Sequence, residues 1–153
     1  MTTTSLKQRL QHDLNAAMKD RDELRLATLR LTLTAITKEE VAGATARQLS
    51  DDEVLKVIGR EAKKRREAAE AFAQGGRAES AEREKAEGEV LAEYLPKQLG
   101  EEELAEIVRG AIAETGAAGP RAMGAVMKVV GPKVAGLAEG GRVAAEVKRQ
   151  LAG

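Results

Sequence analysis

Two aromatic residues in 153, Phe72 and Tyr94, leave this chain a narrow choice of interiors. There is no tryptophan and no cysteine. Any core must be built from Leu, Ile, Val, Ala and Met, and nothing can be stapled by disulfides or held by thiolate-bound metal. Apolar residues make up 42% of the chain, too many for disorder even beside 33% charged residues. The abundance of Ala, Glu, Lys, Arg and Leu reads as helix. No segment shows the two-residue alternation of a strand, so the expected class is all-α.

The apolar residues recur at helical spacing. Leu6, Leu10, Leu14 and Met18 fall on one stripe behind Ser5. Asp20-Arg21-Asp22 interrupts it, and Leu26, Leu29, Leu33 and Ile36 define a second helix that Gly43 is placed to close. Ser50-Asp51-Asp52-Glu53 is a capping box that opens a third helix carrying Val54, Leu55, Ile58, Ala62, Ala69 and Phe72 up to Gly75-Gly76. A fourth helix spans about 78–94. Its first half, AESAEREKAEGE, is polar enough to be expected largely in water.

Pro96 then stops the helix, because its ring blocks continuation and disfavours α geometry at Leu95. A fifth helix restarts near Gly100 and ends at Gly116. A sixth begins at Pro120, carries Met123, Val126, Met127 and Val130, and is expected to stop at Gly131-Pro132. After a loop over 135–141, a seventh covers RVAAEVKRQL. The organisation expected is a four-helix N-terminal domain, residues 1–95, and a three-helix C-terminal domain, residues 96–153. Tyr94 at the junction suits either of two places: between two helical layers with its hydroxyl at the edge, or in the core of one domain.

Signatures of catalysis are sparse. His12 is the sole histidine and sits between Gln11 and Asp13 on the first helix. Neither metal-ligand spacing nor a phosphate-cradling glycine loop occurs. Ser50 is accounted for as a helix cap. No catalytic, cofactor or metal residue is assigned. An apolar leader core and any run of about 18 apolar residues are missing, so a soluble, cytoplasmic protein without membrane contact is expected.

Formal net charge is zero, yet residues 119–153 carry six basic and two acidic side chains. Lys128, Lys133, Arg142, Lys148 and Arg149 flank glycine-rich turns there and are the candidate RNA-binding residues. With no aromatic in this third of the chain for bases to stack on, such binding would rest on phosphates and shape. Lys63-Lys64-Arg65-Arg66 cannot form one flat patch, since successive helical residues point about 100° apart. It reads as a solvated face diluted by Glu67 and Glu70.

EVLAEYLPKQL, AMGAVMKVVGPKVAG and RVAAEVKRQL together resemble the GatB/YqeY family, in its stand-alone YqeY-like form. Tyr94-Leu95-Pro96-Lys97-Gln98-Leu99 fits the family's junction motif, and Met123-Gly124 with Met127-Lys128 fits its M-G-x-V-M-K helix. Where an aspartate is expected before the last helix, this chain has Ala138-Glu139-Gly140-Gly141. The resemblance implies a helical N-terminal domain joined to a three-helix module. That module is similar to the tail of the B subunit of the tRNA-dependent amidotransferase, which helps to hold tRNA. It also implies the class label of carbon–nitrogen ligase with glutamine as amido-N-donor. Three functions stay open: an accessory module that binds tRNA or other RNA, a module that docks a protein partner as a scaffold, and an amide-forming enzyme acting alone or in a complex.

Overall fold

The computed structural model describes residues 4–153. Among these the chain is all-helical, with seven α-helices and no strand: α1 Leu6–Lys19, α2 Glu23–Glu40, α3 Asp51–Gln74, α4 Ala78–Ala92, α5 Glu101–Thr115, α6 Met123–Val134 and α7 Gly140–Ala152. A 3-10 turn, Pro120–Ala122, leads into α6. Contacts gather the helices into two compact units, one ending at Leu95 and one running from Pro96 to Gly153.

In the N-terminal unit the caps act where the sequence places them. Ser5 and Gln8 close a reciprocal box at the start of α1, as Ser50 and Glu53 do for α3. Leu10, Leu29, Ile36, Val54, Val57, Ile58 and Leu91 meet in an aliphatic core, each at most 1% exposed. Helix α2 packs against α1, α3 and α4, which explains why its apolar residues spread round more than one face. Thr28 and Thr32 are buried there and satisfy their hydroxyls on the carbonyls of Leu24 and Thr28, four residues back. Between α1 and α2 the chain turns through Arg21 at φ 57, with Asp22 N–H bonded to Ala17 O and Arg21 N–H to Met18 O. This is a Schellman turn whose left-handed position, usually glycine, is filled by arginine at a cost of about 1 kcal/mol.

Three expectations for this unit are corrected. Helix α2 ends at Glu40, before Gly43, because the Glu40 side chain ties down the loop between α2 and α3. Its carboxylate accepts from Lys7 Nζ at 2.7 Å and from Leu49 N at 3.2 Å, while its carbonyl accepts from Arg47 N. Helix α4 stops at Ala92, and Glu93, Tyr94 and Leu95 close with tighter bonds to the third residue back ahead of Pro96. The polar first half of α4 faces water on one side, while Ala81 and Glu87 are buried against α3. Arg65 Nη1 reaches Glu87 at 3.2 Å and Glu84 at 3.5 Å, so it leaves the solvated face on which Lys63, Lys64 and Arg66 remain exposed.

Paired carboxylates set how this unit answers acid. Arg47 first, with the Ser50 backbone, holds Glu53 down to about 2, and Lys7 holds Glu40 below the usual carboxylate range. In the unfolded chain both protonate near pH 4.3. Between that value and the depressed folded ones the unfolded state binds more protons, so stability falls as pH drops through the window. Urea midpoints are expected to decline from about pH 5 to about pH 3, and Glu53→Gln to make that decline shallower. A decline equally steep in the variant would contradict this assignment.

The C-terminal unit is built on Leu104, Val108, Ala111, Val126, Val130, Val134, Val143 and Val147. Helix α5 starts with Glu103 reaching back to Gly100 N and ends on Gly116 at φ 65, the left-handed position glycine favours. Helix α6 does not stop at Gly131-Pro132; it continues to Val134 with Pro132 inside. Gly131 has no Cβ to strike the proline ring, which removes part of the usual penalty, and the disruption falls in the last turn. Glu139 stands at the N-cap of α7 with extended backbone but makes no capping bond, as its longer arm would suggest. Gln98 donates to the carbonyls of Pro96 and Gly136, Leu99 N to Leu137 O, and Arg142 Nη2 to Leu99 O at 2.9 Å. These bonds fix the start of the unit to the loop between α6 and α7.

Candidate functional site

Two arrangements of charged groups stand out, one in each unit. In the N-terminal unit a cleft of about 290 Å3 is lined by Arg9, Asp13 and Asp20 from α1 and its end, Asp22 and Arg25 from the start of α2, and Glu93 and Tyr94 after α4. The Tyr94 ring belongs to the core of this unit, the second of the two places open to it, and the residue is 6% exposed. Its hydroxyl donates to Asp13 Oδ2 at 2.5 Å, and the Arg9 guanidinium lies 4.7 Å from the ring centroid. Arg25 bonds Glu93 at 2.6 Å and pairs with Asp22 at 3.7 Å. The guanidinium groups are thus held by the cleft's own carboxylates, and a phenol so placed fastens the end of α4 to α1.

Burial first, and then the bond to Asp13, push the Tyr94 hydroxyl well above its ordinary value. The phenol therefore stays protonated at any neutral pH and offers no base. Above about pH 10 the unfolded chain loses this proton while the folded chain keeps it, so stability declines as pH rises. Because Tyr94 is the only tyrosine and there is no tryptophan, tyrosinate absorbance reports this residue alone. It is expected to appear only as the helices unfold in alkali. Titration near pH 10 with helicity intact would count against the buried hydrogen bond. Tyr94→Phe is expected to cost about 1 kcal/mol.

The C-terminal unit holds the five basic residues that the sequence singles out, and their surroundings differ. Lys133 Nζ pairs with Glu114 at 3.1 Å. Arg149 grips both oxygens of Glu146, with Nη2 at 2.6 Å from Oε2, and holds that carboxyl below its usual range. Arg142 is half-buried and committed to the Leu99 carbonyl. Lys128 and Lys148 are exposed and have no hydrogen-bond or ion-pair partner among the described residues. Lys128 lies on the side of α6 away from buried Val126, Val130 and Val134, with Gly124 and Gly131 on the same side. A Cβ added at either glycine would meet nothing within 4 Å, so the helix backbone is open to close approach there.

Sequence reading did not single out two further exposed cations, Lys97 and Arg121, which also lack a partner among the described residues. Lys97 stood in the junction motif and Arg121 in the turn before α6, and only the side-chain contacts separate them from paired neighbours. His12 is exposed on α1. Among the described residues no three His, Cys, Asp or Glu side chains gather as metal ligands, and no helix is long and apolar enough to cross a membrane.

The sequence profile of the YqeY family, described as Yqey-like protein, matches residues 7–151. The chain belongs to the YqeY-like family. That match takes in all of α2 to α6 and nearly all of α1 and α7, so membership rests on both units rather than on the junction motif alone. No curated protein matches the chain.

Proposed function

We propose that this YqeY-like protein is a cytoplasmic accessory module that binds tRNA or a similarly folded RNA through its C-terminal unit, and that it does not transfer amide nitrogen by itself. The observation that supports this reading is that Arg121, Lys128 and Lys148 are exposed and, among the described residues, without a partner, in residues 119–153 where six basic side chains outnumber two acidic ones, with Lys128 on a glycine-lined side of α6. Phosphates are the natural counterpart of such a surface, and recognition would depend on backbone shape, since no aromatic stacks there. The resemblance of the module to the tail of the amidotransferase B subunit points the same way. We take the units before and after the Leu95–Pro96 bond to be separately folding domains, the first a support for the second.

Titration of the purified chain with tRNA at about 50 and about 200 mM salt tests the reading. Binding that weakens steeply with salt is expected. No binding at either salt would remove it. The alternative, a scaffold that docks a protein, draws on half-buried Met123 and Met127 along α6, since methionine adapts to partners. Capture of a protein partner that survives nuclease treatment, from a chain that ignores tRNA, would favour it.

A further inference from the structure

Resting on the RNA-binding reading, we infer that the phosphate contacts are made by Lys97, Arg121, Lys128 and Lys148, and not by Lys133, Arg142 or Arg149. The C-terminal unit carries eight basic residues, Lys97, Arg109, Arg121, Lys128, Lys133, Arg142, Lys148 and Arg149. They divide into two kinds. Arg109 is paired with Glu106, Lys133 with Glu114 and Arg149 with Glu146, while Arg142 is spent on the Leu99 carbonyl. The remaining four are exposed and, among the described residues, unpartnered.

The division matters because a paired cation meets a phosphate at a disadvantage. To turn to RNA, Lys133 must leave Glu114, or bring that carboxylate close to the phosphate with it. Two like charges about 4 Å apart cost about 1 kcal/mol even in water. Arg149 would abandon a two-oxygen grip that is stronger than a single contact. Moving Arg142 would strip the Leu99 carbonyl of its donor and loosen the start of the unit, so its part is to position the chain rather than to touch RNA. An unpaired lysine has no such partner to lose. Each phosphate that it neutralises releases counterions from the nucleic acid, which shows as about one unit in the slope of log K against log salt.

The experiment is a tRNA titration across a salt series with the full chain and three kinds of variant, all at exposed positions except half-buried Glu146, and all checked for unchanged helicity. Lys128→Ala with Lys148→Ala is expected to flatten the slope by about 2. The charge-balanced variants, Lys133→Ala with Glu114→Ala and Arg149→Ala with Glu146→Ala, are expected to bind as the unaltered chain does. Lys19→Ala with Arg30→Ala removes two charges that have no partner among the described residues of the N-terminal unit, and is expected to leave the slope nearly as it was. An unchanged slope in the Lys128/Lys148 variant, or an equal loss in the charge-balanced ones, overturns the assignment while leaving RNA binding in place. A flattening as large in the Lys19/Arg30 variant overturns it too, because net charge alone would then suffice. Absence of binding by the unaltered chain overturns the RNA-binding reading and the assignment with it.

Discussion

Leu29→Ala is expected to lower the stability of the N-terminal unit by about 2–5 kcal/mol. Leu29 has no exposed surface and lies on α2, which packs on α1, α3 and α4 at once. Removing three carbons there forfeits their transfer free energy and leaves a void that three helices cannot close together. An interior with hardly an aromatic ring has little else to lean on, because the stabilisation is divided among many aliphatic side chains of modest size. Leu31, two residues further along the same helix, is 51% exposed, and Leu31→Ala should change stability by no more than about 0.5 kcal/mol. Urea denaturation monitored by circular dichroism measures both. Equal losses in the two variants would mean that α2 does not sit as described.

Val130→Asp is expected to unfold the C-terminal unit outright. Val130 is fully buried between Val126 and Val134 on α6, within a core supplied by α5, α6 and α7. A carboxylate placed there finds no cation, and an uncompensated buried charge costs about 3–5 kcal/mol. A unit of 58 residues, Pro96 to Gly153, has a total stability of the same order, roughly 3–9 kcal/mol. The nuclear magnetic resonance spectrum should then lose the dispersed signals of residues in α5–α7 while those of Leu10, Leu29 and Ile36 stay native. That outcome would also support the proposal that the two units fold separately. Loss of both sets together would contradict it, and survival of both would contradict the packing of α6.

What the amino-acid sequence revealed, and what it hid, are matters of range. Caps are local, so Ser50 with Glu53 was readable as written, while the partner of Ser5 in its box, Gln8, came only with the structure. Aliphatic stripes report a buried face, so the helices, and Pro96 as the break between α4 and α5, were readable too. Glu40 was not, because its partners Lys7 and Leu49 lie 33 and nine residues away. Arg65 looked like one of four solvated cations until α4 brought Glu84 and Glu87 to it. Pro132 looked like a stop, and only the glycine before it made a helical last turn tolerable. The candidate site shows the same limit. Composition located the basic stretch and named Lys128, Lys133, Arg142, Lys148 and Arg149, but charge counting cannot tell a cation held by Glu114 or Glu146 from a free one. The pair Glu146–Arg149, three residues apart on one helix, was open to reading; Glu114–Lys133 was not.

The measurement that bears most directly on the RNA-binding account is a residue-resolved titration of the isotope-labelled full chain with tRNA. The account predicts shifts confined to residues 96–153, strongest at and around Lys97, Arg121, Lys128 and Lys148, with residues 4–95 unmoved. Shifts centred instead on the cleft of Arg9, Asp13, Arg25 and Tyr94, or no shifts at all at low salt, would contradict it.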